Sequence, residues 1–520
     1  MLHFTLALND AFRDAFYKYK NDIALHFGDA QVTYEQLRLR SNRFAHALND
    51  LQLPSNSRVA LFMSNRLEFV YAQMGGYQAG VANIPLNDML GENEIKYILK
   101  DCHAKVLIVE EQFFEKVQHI RSELPNLTTI VGISEHQVPE GFISWEEFQG
   151  SQSEEDLTLT IPQEDIAQSV YTGGTTGNPK GVLHSYQTTI TILFAVILEN
   201  EIAPEEKILL TSPLPHAAGI SLQAGLLRGS EIYIEKKFSE ELILNHVETN
   251  KVTYIMAVPT MIYRIIDFME GKEYDISSIR TIVYGTAPIA RERLKQALDI
   301  FGPVFIQTYG LTESPGVATK LSKKDHHIEG ANLKHLTSCG RPTMFTRVKI
   351  VDEQGDELER GMEGEIIISS PANMVGYYNL PEMTAESLKD GWMHTGDIGY
   401  MDEENYVYVL DRKKDMIISG GMNVYSSEVE NELQKHPGIR QVAVIGVPDP
   451  DWGEAVNAFI IPKDTSLTAD QLKVWSKDKL SAYKRPKNYE IVGTLPLTPY
   501  GKIDKKKLRE PYWDTVDRRI

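Results

Sequence analysis

The chain has 520 residues, 42% of them hydrophobic and 24% charged, with a net charge of -19 and two cysteines. That length exceeds what one core covers, so two or more domains of an ordinary globular protein are expected. The negative balance excludes a general nucleic-acid binder, and it means that any polyphosphate must be gripped by local cations and a metal.

The first residues carry Asp10 and Asp14 and lack the basic start of a signal peptide. No apolar run reaches eighteen residues, so no membrane span is expected. Cys102 and Cys339 have neither metal nor redox spacing and read as reduced interior residues of a cytoplasmic protein.

In chain order, the N-terminal part alternates strands and helices. Thr33-Tyr34-Glu35-Gln36 is a capping box, with Leu37, Ser41, Phe44 and Leu48 following on one helical face. Residues 59–63 form a buried-strand run, a helix follows to Ala79, and 81–84 read as the next strand. Segments 106–109, 166–171, 253–258, 281–285 and 304–308 continue the pattern. Such alternation predicts an α/β fold with a largely parallel sheet, whose ligands gather where loops leave the strand ends.

A change comes near residue 400. Residues 400–410 read as a hairpin around Asp402-Glu403-Glu404-Asn405, and the charged run Asp411-Arg412-Lys413-Lys414-Asp415 follows. Beyond it, Ser427-x-x-Glu430 and Thr468-x-x-Gln471 read as helix caps, and 442–447 and 456–461 as strands. The expected architecture is a large N-terminal domain (residues 1–411) of parallel-rich sheets flanked by helices. A small mobile α+β domain (residues 412–520) is joined to it by a polar hinge.

The segment Tyr171-Thr172-Gly173-Gly174-Thr175-Thr176-Gly177-Asn178-Pro179-Lys180-Gly181 holds four glycines, three threonines and a lysine. Glycines let backbone N–H groups turn toward an anion, threonines add donors, and lysine adds a point charge. A phosphate-gripping loop is therefore expected. It is not a Walker P-loop, because Lys180 follows Pro179 and precedes Gly181 instead of Ser or Thr. It joins two extended segments.

Further groups of small and polar residues stand at predicted strand ends. They are Tyr284-Gly285-Thr286-Ala287-Pro288, Gln307-Thr308-Tyr309-Gly310-Leu311-Thr312-Glu313, Gly391-Trp392-Met393-His394-Thr395-Gly396-Asp397, Ser419-Gly420-Gly421 and Pro499-Tyr500-Gly501-Lys502. Taken alone, Glu313 reads equally as a helix-capping acid, Asp397 as a turn residue and Arg412 as part of a solvated charge run. Asp325-His326-His327 has no matching metal-ligand spacing and reads as a solvated polar loop.

In order and spacing these segments resemble the adenylate-forming superfamily of acyl-CoA synthetases, adenylation domains and beetle luciferases, closest to bacterial fatty acyl-CoA synthetases. The resemblance implies that a carboxylate attacks the α-phosphate of ATP, giving an acyl-adenylate and pyrophosphate, and that a thiol then displaces AMP. It implies phosphate contacts from Thr172, Gly173, Gly174, Thr175, Thr176, Gly177 and Lys180, an α-phosphate contact from Thr312, and Mg²⁺ on Glu313. Adenine would lie between Gly285, Thr286, Ala287 and Pro288 on one side and Gln307, Thr308, Tyr309 and Gly310 on the other. Asp397 would accept from the ribose hydroxyls, and Arg412 would reach ribose or phosphate. Lys502 would bridge the carboxylate and the α-phosphate in the first half-reaction. Lys414 would be the hinge of a domain swing, after which Gly420 and Gly421 flank the pantetheine path and Lys484, Arg485 and Lys487 face the phosphates of coenzyme A.

Two departures bear on function. Gly173 stands where the family usually has Ser, and Ser427 where Pro is commoner. For the acyl pocket the resemblance implies His216, Tyr284, Thr286 and Gly310. Tyr284 and Thr286, bulkier than the family's Ser and Gly, would narrow a tunnel and favour medium or branched chains. The expected function is an ATP-dependent acyl-CoA synthetase acting on a medium- or long-chain fatty acid, with ATP, Mg²⁺ and coenzyme A. The alternatives are an acyl-adenylate former loading a carrier protein and a ligase for an aromatic acid. A nucleotide-binding protein without catalysis would show damage at Glu313, Asp397 or Lys502, and none is seen. No nucleic-acid partner is expected, whereas peripheral membrane contact and a homodimer are both compatible with the sequence.

Overall fold

The computed structural model describes residues 7–172, 178–287, 289–327, 330–497 and 503–513. The predicted loop residues Gly173, Gly174, Thr175, Thr176 and Gly177, together with Pro288 and Lys502, lie outside them.

Two large sheets build the N-terminal part. One has nine strands, and from Ile23–Phe27 at one side to Phe305–Leu311 at the other its six central strands run parallel. The second has eight, in the order Gly376–Tyr377, Lys180–Ser185, Ile166–Thr172, Ala82–Leu86, Arg58–Phe62, Val106–Glu110, Thr129–Ile133 and Ile143–Ser144. The largest core cluster takes residues from both sheets, including Leu61 and Val106 from the second and Ile208, Val283 and Ile306 from the first. Between them it buries the helices Leu67–Gln78 and Ala217–Arg228 almost wholly and one face each of Tyr34–Asp50 and Tyr186–Glu199. Separate clusters cover the outer faces of the two sheets. The result is layered helix–sheet–helix–sheet–helix, the parallel-rich α/β arrangement that alternating elements imply.

Local signals act where expected. Thr33 and Gln36 form the reciprocal capping box of Tyr34–Asp50, whose Leu37, Ser41, Phe44 and Leu48 are all buried. Thr468 and Gln471 do the same for Ala469–Ser476. Strands and helices over 59–86, 106–110, 166–172, 254–257, 281–285 and 305–311 match the predicted ones to within a few residues.

A third sheet, antiparallel, is built from Arg347–Val351, Gly364–Ser369, Leu388–Lys389, Trp392–Met401 and Val407–Arg412. The predicted hairpin around 402–405 is its last turn. After it comes a small α+β unit, with the strands Ile439–Asp449 and Gly453–Pro462 paired antiparallel beneath the helices Ser426–Leu433 and Ala469–Ser476.

Two readings need correction. Ser427 is not an N-cap, because the helix begins at Ser426 and carries no side-chain cap of its own. Asp411, fifteen positions upstream, accepts from the Ser426 N–H and hydroxyl at 2.6 Å each, which frees Ser427 to donate to the Leu410 carbonyl. A carboxylate suits the positive end of a helix, so an acid from the preceding strand replaces the local cap. Asp325-His326-His327 is not a solvated loop either. His326 is buried, with Nδ1 bonded to the Ser322 carbonyl at 2.8 Å and Nε2 to the Tyr284 hydroxyl at 3.0 Å, and burial pushes its pKa down to about 4.

Candidate active site

The strands on either side of the predicted phosphate loop pair antiparallel, Thr172 with Lys180 and Tyr171 with Gly181. Gly181 is required, since a Cβ there would come within 2.9 Å of both the Ser169 hydroxyl and the Tyr171 ring. Lys180 leaves the hairpin over the Tyr377 ring, its Nζ 5.3 Å from the centroid. Tyr377 is on the neighbouring strand, opposite Val182.

Thr312 and Glu313 form the turn between Phe305–Leu311 and Ser314–Leu321 of the other large sheet. Three bonds fasten this turn to the lysine hairpin and its neighbour. Tyr377 donates its hydroxyl to Glu313 Oε1 at 2.9 Å, the Met374 N–H donates to the Glu313 carbonyl at 2.8 Å, and His184 Nε2 meets the Thr312 carbonyl at 2.9 Å. His184 is fully buried, and burial pushes its pKa down to about 4. It is therefore neutral near pH 7, and with a carbonyl as partner Nε2 must carry the proton. The two halves of the expected phosphate site, far apart in sequence, are joined here.

Sequence reasoning missed His184 and Tyr377. His184 follows the strand alternation and looks like an ordinary sheet residue, while Tyr377 has no motif around it. Only the pairing of Gly376–Tyr377 with Lys180–Ser185 brings it to Glu313.

Asp397 is buried and uses both carboxylate oxygens. The Tyr309 hydroxyl donates to Oδ2 at 2.7 Å, and Arg412 Nε lies 2.8 Å from Oδ1. Asp397 and Arg412 are direct cross-strand partners in the third sheet, so register sets the pair. Desolvation, reinforced by Asp397, holds the Tyr309 phenol well above its ordinary pKa, so it remains a donor. Each carboxylate oxygen keeps a further lone pair with which to accept.

The segments expected to hold adenine are adjacent strand ends, Gly285 beside Thr308 and Tyr284 beside Gln307 in parallel register. A Cβ on Gly285 would collide with the Thr308 carbonyl. Thr286 is exposed and has φ +66°, a left-handed conformation that is strained for a β-branched residue. Ala287 and Gly310 border the same edge.

His216 precedes the helix Ala217–Arg228, and its Nε2 lies 2.9 Å from Asn87 Nδ2. Tyr284 does not share that location. It points to the sheet face opposite Val283, wholly buried among Phe305 and His326 in the cluster with the outer helices, whereas Ala217–Arg228 packs on the Val283 face. Side chains alternate along a strand, so Tyr284 walls no channel beside His216, and its bulk gives no argument about chain length.

In the small unit, Gly420 and Gly421 make the turn between Ile417–Ser419 and Met422–Val424, with φ +59° and +77°. A Cβ on Gly420 would meet the Trp452 ring at 2.7 Å. Lys484 is held by both Glu428 oxygens at 2.6 and 2.7 Å, and Lys487 by Asp449 at 2.8 Å. Arg485 keeps a buried Nε without a hydrogen-bond partner among the described residues. Lys414 is exposed beside the Asp411–Arg412 strand end.

Glu313 fits a magnesium ligand. One oxygen is oriented by Tyr377, and the other has no hydrogen-bond partner among the described residues, which leaves a hard anionic donor beside the phosphate hairpin.

A hairpin carrying Lys180, an acid turn locked to it and the buried Asp397 carboxylate fit the site expected of an adenylate-forming enzyme. Family models agree: residues 12–378 match the AMP-binding enzyme model, and 428–502 the AMP-binding enzyme C-terminal domain. The chain belongs to the AMP-binding enzyme family, close to the fatty acyl-CoA synthetases, and is an AMP-forming acid–thiol ligase.

It is 34% identical to the medium/long-chain-fatty-acid–CoA ligase FadD8 of Mycobacterium tuberculosis, over 97% of this chain and 90% of that protein. It is 35% identical to a feruloyl-CoA synthase of an Amycolatopsis species, over 94% of this chain and 96% of that one. A solved anthranilate CoA ligase, AuaEII, bound to anthranoyl-AMP superposes with a TM-score of 0.89 at 26% identity, covering 99% of this chain and 98% of the other. Among the described residues no helix is long and apolar enough to cross a membrane.

Proposed function

We propose that the enzyme makes acyl-CoA from a medium- or long-chain fatty acid in two half-reactions. The observation that carries this reading is the Thr312–Glu313 turn bonded to the Lys180 hairpin through His184 and Tyr377. That junction gathers cationic, hydroxyl and carboxylate groups where a triphosphate must be held while two anions approach.

The 172–180 loop holds the β- and γ-phosphates, and Thr312 steadies the α-phosphate. Bound to Glu313, Mg²⁺ would neutralise phosphate charge. Adenine is taken between the Gly285 and Thr308 strand ends, and Asp397, already oriented by Tyr309 and Arg412, accepts from ribose. Lys502 neutralises charge as carboxylate and α-phosphorus meet. The small domain then swings about Lys414 and presents Gly420 and Gly421 to the pantetheine thiol. His216, backed by Asn87, borders the acyl carboxylate.

The test is thioester formation from ATP, Mg²⁺ and coenzyme A across fatty acids from octanoate to palmitate, with ferulate, benzoate and amino acids alongside. Fatty acyl-CoA as the main product is expected. Activity with amino acids alone would overturn the reading. The similarity to a feruloyl-CoA synthase supports a second one, a ligase for aromatic acids, for which ferulate would exceed every fatty acid. Turnover only when a phosphopantetheinylated carrier protein replaces coenzyme A would reassign the acceptor.

A further inference from the structure

We propose that His335, Asp402 and Glu404 form a binding site for a first-row divalent transition ion, separate from the nucleotide site. His335 is in the 3₁₀ segment Ala331–Thr337, and the two acids are in the turn joining Trp392–Met401 to Val407–Arg412. Asp397 and Arg412 stand at the other end of that hairpin, about 15 Å away along the strand.

Three observations converge. The His335 side chain is 2% exposed, yet neither ring nitrogen has a hydrogen-bond partner among the described residues. A buried imidazole in that state calls for a further partner such as an ion or a water. One ligand atom from each of the three residues falls within 4.8 Å of the others, and His335 Nε2 is 3.6 Å from Glu404 Oε1. That separation is close to the edge of a tetrahedron with bonds of about 2.0–2.2 Å. Finally, a cation already sits there. Lys334 Nζ lies 2.9 Å from Glu404 Oε1 and 3.7 Å from Asp402 Oδ2. Its side chain is 53% exposed, so its flexible stem can withdraw in favour of a metal.

The surroundings orient the donors. The His335 ring stacks on Tyr406 with centroids 3.7 Å apart and planes 13° from parallel. Asp402 Oδ1 accepts the Glu404 and Tyr406 N–H groups at 2.9 Å each, which turns Oδ2 toward Lys334, and the Tyr408 hydroxyl steadies Oδ2 at 3.2 Å. Such outer contacts fix ligands before a metal arrives. One imidazole with two carboxylates suits Zn²⁺, Co²⁺ or Mn²⁺ better than Mg²⁺ or Ca²⁺. Glu404 is 48% exposed, so water can complete the shell. A bound ion would pin the 331–337 segment to the hairpin turn.

The test uses untagged, chelator-treated full-length protein without nucleotide, titrated with Co²⁺ by visible absorption and with Zn²⁺ by calorimetry. One ion per chain with a four- or five-coordinate Co²⁺ spectrum is expected. Glu404→Gln, on an exposed side chain, and His335→Ala should each weaken binding at least about tenfold, and Lys334→Ala should tighten it. Glu313→Gln should leave it unchanged. No ion bound, or binding that survives Glu404→Gln in a protein with wild-type melting, overturns the proposal. So does binding lost with Glu313→Gln, and an intact melt in Glu404→Gln keeps the test valid if His335→Ala fails to fold.

Discussion

One carbonyl separates His184 from Glu313, and that contact gives the clearest residue-scale expectation. His184→Leu would leave the Thr312 carbonyl without its donor, a loss of about 1–3 kcal/mol. As a positioning residue, its removal should slow ATP–pyrophosphate exchange by roughly 5–100-fold at saturating fatty acid, with His184→Gln recovering part of the rate. Exchange at the wild-type rate in His184→Leu would show that the turn holds itself. The same burial gives a pH signature. His184 and His326 titrate near 4 in the fold against 6.5 when unfolded. The unfolded chain therefore takes up protons that the fold refuses. Stability is complete above 6.5 and falls as pH drops toward 4, by up to about 3 kcal/mol per histidine. Urea midpoints between pH 7 and 4.5 should decline less steeply in His326→Phe than in wild type; parallel curves would contradict the assignment. At this scale the strand ends at Thr172 and Lys180 and the turn at Thr312 and Glu313 were legible, because small and polar residues clustered there mark where loops leave strands. Tyr377 was not, since a lone tyrosine acquires meaning only from the strand beside it.

Elements were most legible where their determinants are local. The capping boxes at Thr33 and Thr468 read directly, because donor and acceptor are three residues apart. Thr33→Ala should cost about 1 kcal/mol in chemical denaturation. The helix Ser426–Leu433 was read two residues out of place because its cap is Asp411, which no local pattern reveals. Tyr284 was put on the wrong face relative to His216 for a related reason: strand period gives two faces, but only the packed helices show which of them Tyr284 takes. Gly340 was silent in the sequence, yet it has φ +82°, and a Cβ there would fall 2.0 Å from the Lys320 carbonyl and 2.1 Å from the Leu321 nitrogen. Gly340→Ala should cost more than about 2 kcal/mol, read as a large drop in melting temperature. A near-wild-type melt would mean that the strands can part there.

At the scale of the molecule, the α/β class followed from alternation, whereas the antiparallel sheet from Arg347 to Arg412 did not, because its short strands carry no shared signature. The proposed hinge is flanked by specific bonds. Asp411 holds Ser426, and Tyr425 donates to Glu363 at 2.7 Å. Lys505 joins Glu430 at 2.8 Å and Ser426 at 2.7 Å, while Arg509 pairs with Asp415 at 2.7 Å. A swing about Lys414 would break the first two and the Ser427 bond to the Leu410 carbonyl, and carry the last three along, since they lie within the small unit. Lys414→Pro should therefore slow thioester formation from supplied acyl-adenylate far more than adenylate formation, and equal effects in rapid-quench assays would remove the hinge role. Lys502→Ala should do the reverse. The central claim is attack of a carboxylate oxygen on the α-phosphorus of ATP, and one measurement addresses it directly. With ¹⁸O-labelled fatty acid, ATP, Mg²⁺ and coenzyme A, mass spectrometry should find one labelled oxygen in AMP and none in pyrophosphate. Label in inorganic phosphate, with ADP as co-product, would contradict it.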